Sequence, residues 1–206
     1  MGQGRRGFLK AAGLAVCAVA GKRLLPGGGG TVVAQEPGEP AGRVRWAMVV
    51  DPAYDIKDIL DVVAADDMRL VGALATHYHP DHVGGDMMGY RISGVRELQV
   101  LHPVPVHVQA DEAPWVQRVT ELSATDLVEH VSGDVVRVGE IPIELIHTPG
   151  HTPGSQCFFV DGRLVAGDTL FLEGCGRTDL PGGDPVPLAR DHGVPPHHLP
   201  PRDPPG

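Results

Sequence analysis

The chain has 206 residues, 42% of them hydrophobic, and a formal charge of −9. Those values suit one ordinary domain with a real core and exclude wholesale disorder. The charge is asymmetric: residues 1–34 carry five Lys/Arg and no Asp/Glu, while the remainder carries 12 basic and 26 acidic residues, a net −14. A body that acidic repels phosphate backbones, which argues against nucleic acid as a partner.

In chain order, Arg5-Arg6-Gly7-Phe8-Leu9-Lys10 comes first, followed by eleven uncharged small or apolar residues, Ala11 to Gly21. This resembles a twin-arginine export signal over residues 1–25, with Ala18-Val19-Ala20 as a small-residue cleavage site. The apolar run is too short to span a bilayer. The resemblance implies a periplasmic or extracellular product with no stable membrane span after signal removal, and a cytoplasmic one if the signal is unused. Residues 26–42, with Gly27 to Gly30 and Gln35-Glu36-Pro37-Gly38-Glu39-Pro40, read as a flexible linker.

The ordered domain is expected over residues 43–184. Val44 to Val50 is an apolar strand ending at the turn signal Asp51-Pro52. Asp55 to Met68 places Ile56, Ile59, Leu60 and Val63 at helical spacing. Leu70 to Ala75 is a second strand. Gly84-Gly85 is expected to open a helix through Met87 and Met88, and Glu112 to Leu122 reads as a further helix. Residues 92–111 carry no clear pattern. Val135 to Val138, Ile141 to Ile146, Gln156 to Val160 and Arg163 to Ala166 read as short strands. This order predicts an α/β layered domain. The last 26 residues hold nine prolines and four glycines, so residues 185–206 are expected to be a Pro-rich disordered tail.

Chemistry concentrates at the ends of the apolar strands. Thr76-His77-Tyr78-His79-Pro80-Asp81-His82 places three imidazoles and a carboxylate within six residues, and these are standard metal ligands. His147-Thr148-Pro149-Gly150-His151 and Ala166-Gly167-Asp168 follow two later strands. Cys17 lies in the leader. Cys157 and Cys175 do not make a disulfide framework, although one bridge between them stays open. Free cysteines are usually small buried residues, and Cys175 is read so.

His77-x-His79-x-Asp81-His82, Pro149-Gly150-His151 and Gly167-Asp168 resemble, in order, the ligand motifs of the metallo-β-lactamase superfamily. That likeness implies a four-layered αββα sandwich, incomplete here at its C-terminal end. It implies that His77, His79 and His151 hold one metal, that Asp81 and His82 hold a second, and that Asp168 bridges them. The cofactor would be zinc, two ions, or alternatively a single iron. The superfamily's last histidine has no counterpart after Asp184, which places the second metal in question. Asp81 is the expected proton acceptor.

Gly174-Cys175-Gly176-Arg177-Thr178-Asp179 resembles a segment of two classes within the superfamily, glyoxalase II-like hydrolases and persulfide dioxygenases. Both imply a small, glutathione-derived substrate. Arg177 is a candidate clamp for a substrate carboxylate, or else an ion-pair partner of Asp179 or Asp184. His147 reads as a support for the site, and His102, His107 and His130 as polar surface or core residues. The expected function is metal-dependent hydrolysis of a thioester. The alternatives are an iron dioxygenase using His77, His151 and Asp168, and a non-catalytic metal-binding remnant.

Overall fold

The computed structural model describes residues 7–11, 14–18 and 45–187. Alternation along a single strand, β3 (Arg45–Val50), sets the layers. Ala47 and Val49 point into one apolar cluster, Met48 and Val50 into another. Such a strand is buried on both faces and reads as a continuous apolar run.

Six strands form the larger sheet. They are β1 (Gly7–Ala11), β2 (Leu14–Ala18), β3, β4 (Met68–Leu74), β7 (Val106–Gln109) and β8 (Leu127–His130), in the order β1-β2-β3-β4-β7-β8. From β3 to β8 the pairing is parallel. Parallel neighbours need crossovers, and helices supply them: α1 (Ile56–Ala65), α3 (Val95–Leu101) and α4 (Ala113–Thr120). Helix α1 begins where the Asp55 carboxylate accepts from the Asp58 backbone N–H at 3.0 Å. Its buried stripe of Ile56, Ile59 and Val63 joins Val95, Leu98, Ala113 and Val116 on one face of the sheet.

The second sheet is antiparallel, in the order β12 (Arg163–Val165), β11 (Gln156–Val160), β10 (Ile141–His147), β9 (Val135–Val138). Its Val136, Val138, Ile143, Leu145, Phe158 and Val160 pack onto Met48, Val50 and Leu74. The outcome is helix, sheet, sheet, three layers of the expected four. Among the described residues no helix covers the outer face of the smaller sheet. There Phe159 and Leu164, cross-strand partners, are 43% and 48% exposed.

The structure departs from the sequence reading at Gly84-Gly85 and fills in residues 92–111. Gly84-Gly85 does not open a helix. Both glycines take positive φ, 84° and 127°, which ends the short helix α2 (Pro80–Val83) and starts a hairpin, β5 (Gly85–Met87) and β6 (Tyr90–Ile92). Residues 92–111, featureless in sequence, hold α3 and β7. Within the segment read as an export signal, β1 and β2 form a hairpin whose second strand pairs with β3, Val16 opposite Val49. A short apolar run satisfies an open sheet edge well. Arg5-Arg6, the linker at 26–42 and residues 188–206 of the tail lie outside the described residues, and residues 185–187 are helical.

One buried polar chain crosses the larger sheet. His107 and His130, 2% and 4% exposed, meet at 2.8 Å, Nδ1 to Nε2, and His130 Nδ1 lies 3.2 Å from Asp134. His107 Nε2 is buried without a hydrogen-bond partner. Burial, reinforced by the neighbouring His130, lowers the His107 pKa to about 4. The folded state therefore binds this proton less readily than the unfolded chain, and stability falls as pH drops from about 6.5 towards 4. A His107→Leu variant should flatten that fall by roughly 3 kcal/mol relative to wild type, measured from urea midpoints of the metal-free protein between pH 4 and 7. Parallel slopes for the two proteins would refute it.

Candidate metal centre

Every candidate ligand sits at the C-terminal end of a strand, where layered α/β folds open their crevices. Asp51 follows β3, His77, His79 and His82 follow β4, His151 follows β10, and Asp168 follows β12. The two sheets bring these ends together. His151 Nε2 lies 3.2 Å from His77 Nε2 and 2.9 Å from His79 Nδ1. Asp168 straddles the group, with Oδ1 at 3.3 Å from His82 Nε2 and Oδ2 at 3.5 Å from His151 Nε2. Two clusters result: His77, His79 and His151, and His77, His82 and Asp168, with ligand atoms of each within 4.8 Å of one another.

These atoms fit a metal ion. Tetrahedral zinc ligands at about 2.0–2.1 Å from the ion stand about 3.3 Å apart. Three ring nitrogens facing each other at such spacing cannot all satisfy one another by hydrogen bonds, because a ring offers one N–H when neutral. Burial, with the neighbouring imidazoles, lowers the His77 pKa well below its ordinary value and that of His79 to about 4. Both rings are thus neutral near pH 7, the form that ligates.

The opposite faces of the rings are held in place. The Thr76 hydroxyl donates to Asp51 Oδ2 at 2.7 Å, so its lone pair accepts from His77 Nδ1 at 3.1 Å. Asp51 Oδ2 also meets His82 Nδ1 at 2.9 Å, and Oδ1 accepts the Thr76 backbone N–H at 2.7 Å. One carboxylate therefore orients two imidazoles. Asp51 itself adopts φ 49°, the left-handed region where Asp is tolerated better than most residues. His82 is largely buried, which disfavours its charge, yet hydrogen bonds to Asp168 and Asp51 outweigh this and raise its pKa to about 10. The same His82 contact holds the Asp168 carboxyl below its usual range against burial. Gly167, at φ 51°, lets the chain pass beside Thr76, where a Cβ would come within 2.5 Å of Oγ1.

His151 is fixed from the far side. Its Nδ1 donates to the Arg177 carbonyl at 2.6 Å. Residues 176–184 run over the centre as a strap. Gly176 N–H donates to Asp168 O at 2.6 Å, the Tyr78 hydroxyl to Pro181 O at 2.9 Å, and Asp184 N–H to Gly150 O at 2.7 Å. His147 braces the His151 loop through Pro153 O at 2.9 Å, the supporting place read for it.

The other sequence candidates fall as follows. Asp81 belongs to neither cluster. It is 43% exposed, with Oδ2 at 3.8 Å from His82 Nε2. The Arg177 side chain is exposed and paired with Asp179 through Nε and Nη2, both at 2.6 Å. Cys175 is exposed rather than buried, and Cys157 and Cys175 are both free. Trp115 stacks on Tyr78 at 5.0 Å, and Tyr78 lies edge-on to His79. Sequence reasoning missed Asp51, hidden in an Asp-Pro turn signal, and Glu112, whose carboxylate bonds Tyr78 N–H, Thr152 Oγ1 and Gly154 N–H at 2.7–2.8 Å. For both, the available signal was an acid just past the end of an apolar strand.

Comparison with known proteins identifies the family. An uncharacterized protein of Aquifex aeolicus is 36% identical over 156 residues, 70% of this chain and 69% of that protein. A hydroxyacylglutathione hydrolase of Hahella chejuensis is 39% identical over 144 residues, covering 68% of this chain and 48% of that enzyme. The chain thus spans about half the length of the hydrolases of that name that it matches. Among solved structures, ETHE1 from Myxococcus xanthus shares the fold, with a TM-score of 0.62 at 23% identity over 95% of this chain and 70% of that one. The family model described as the metallo-beta-lactamase superfamily matches residues 46–198. The chain belongs to the metallo-β-lactamase superfamily.

Proposed function

We propose that the protein is a zinc-dependent hydrolase of a small thioester, of the hydroxyacylglutathione hydrolase kind. The observation that carries this reading is the convergence of His77, His79 and His151 at 2.9–3.2 Å, with Asp168 reaching from that cluster to His82. The relatives named hydroxyacylglutathione hydrolase support the substrate class.

His77, His79 and His151 would hold one zinc, and His82 with Asp168 would hold a second. Bound zinc polarises a carbonyl and lowers the pKa of water towards neutrality. The chain's own groups do the rest. Asp81, partly exposed beside His82, takes the proton of the water that attacks the thioester carbonyl and returns it to the sulfur that leaves as the C–S bond breaks. Arg177 keeps its Nη1 outside the Asp179 pair and meets a carboxylate of the glutathione moiety. Trp115 and Tyr78 present a stacked aromatic wall beside His79. The Arg5-Arg6 leader motif supports an exported location for this activity.

A second reading, an iron persulfide dioxygenase, rests on a different triad in the same atoms. His77, His151 and Asp168 supply two imidazoles and a carboxylate within 3.5 Å of His151 Nε2, the donor set of non-haem iron oxygenases.

Zinc-loaded protein should hydrolyse S-lactoylglutathione, lose activity to chelators, and regain it on zinc addition. His79→Ala should cut kcat/KM by about 10³ or more, as expected when an imidazole that holds the Lewis acid is lost. Oxygen uptake with glutathione persulfide by iron-loaded protein, without thioester hydrolysis, would decide for the second reading. Folded, metal-loaded protein inactive in both assays would leave a metal-binding remnant. Asp81→Asn separates proton transfer from metal holding. It should lower kcat by about 10²–10⁴ while zinc content stays at the wild-type value, measured by elemental analysis. Loss of zinc from that variant would overturn the role.

A further inference from the structure

The metal centre draws its histidines from two sheets, and one buried carboxylate joins the loops that carry them. Glu112 is 1% exposed and sits just past β7, at the start of α4. Its Oε1 accepts the Tyr78 backbone N–H at 2.7 Å and the Thr152 hydroxyl at 2.8 Å, and its Oε2 accepts the Gly154 N–H at 2.7 Å. Tyr78 lies between His77 and His79, and Thr152 directly follows His151. Two of the three donors are therefore one residue from a candidate ligand, one on each side of the cluster, and the third, Gly154, lies three residues past His151. Gly154 is shaped to this carboxylate, because a Cβ there would fall 2.5 Å from Glu112 Cβ and 2.7 Å from Oε2.

We propose that Glu112 is a positioning residue, which sets the separation of His77 and His79 from His151 by clamping their two loops. The inference rests on the metal-centre reading above. Burial of an acid without a cation partner is unfavourable, and burial here raises the Glu112 pKa to about 7 against the pull of its three donors. An apolar side chain here would leave the Tyr78 and Gly154 N–H groups without this acceptor. The donors are all neutral, two of them main-chain N–H groups that no side-chain substitution can remove. They fix loop geometry rather than balance a charge. Gln156 joins the same strands one step deeper, through Thr76 O at 2.9 Å and Ala75 O at 2.8 Å. The sheets thus stay joined without Glu112, and the clamp acts on the loops.

The test uses the full chain and two probes, zinc and cobalt(II). Zinc affinity is measured by competition with a chromophoric chelator, and the cobalt visible band reports ligand geometry. Glu112→Ala should weaken zinc about 100-fold and shift or weaken the cobalt band, while Glu112→Gln, which keeps one acceptor oxygen, should lose about 10-fold. The metal-free melting curve of each variant serves as the fold control. If the Glu112 variants do not fold, Thr152→Val removes one donor and should weaken zinc several-fold with the fold retained. Folded variants that bind zinc within twofold of wild type, with an unchanged cobalt band, overturn the proposal. A wild-type chain that binds no zinc overturns the metal-centre reading, and this inference with it, a result distinct from variants that match a zinc-binding parent.

Discussion

The face-to-face packing of the two sheets is the contact on which everything else in the molecule depends. Met48, Val50 and Leu74 on one sheet meet Ile143, Leu145 and Phe158 on the other. Each such side chain contributes about 1.5–3 kcal/mol by leaving water, an upper estimate given residual burial in the unfolded chain. The consequence for chemistry is geometric. His77 and His79 belong to the first sheet and His151 to the second, so no ligand cluster exists until the sheets dock. Metal binding and folding are for that reason linked, since an ion that holds both loops also favours the docked state.

The contiguous parts of the centre were legible because short-range sequence carries them. A strand followed by three histidines within six residues reads as ligands without any knowledge of the fold. His151 and Asp168 were legible only through likeness to a family, since nothing local distinguishes Gly-His-Thr from a polar turn. Asp51 and Glu112 carried only an ambiguous signal. Their roles are set by partners 25 to 42 positions away in the chain, and an acid after a strand reads equally as a turn or a helix start. Among the elements, long apolar runs were read correctly because β3, β4 and α1 follow strict burial patterns. The error at Gly84-Gly85 came from reading glycine as a loop before a helix when its backbone angles were serving a hairpin. The hairpin of β1 and β2 was missed for a different reason. A short apolar run following two arginines fits both a secretion leader and the sheet edge that it forms beside β3.

The electrostatics of the centre divide by side. His77 and His79 are kept neutral by burial and by one another, whereas His82 is held as a cation by Asp51 and Asp168. A single shared carboxylate, Asp168, touches both regimes.

The strap of residues 176–184 has an evolutionary consequence. It presents the Arg177 guanidinium outward, while the same residue's carbonyl fixes the imidazole of His151. An exposed ion pair and the backing of a candidate metal ligand therefore sit on one short peptide. A lineage that remodels this segment disturbs the His151 imidazole at the same stroke, so tolerated changes are confined to side chains that leave the backbone path untouched.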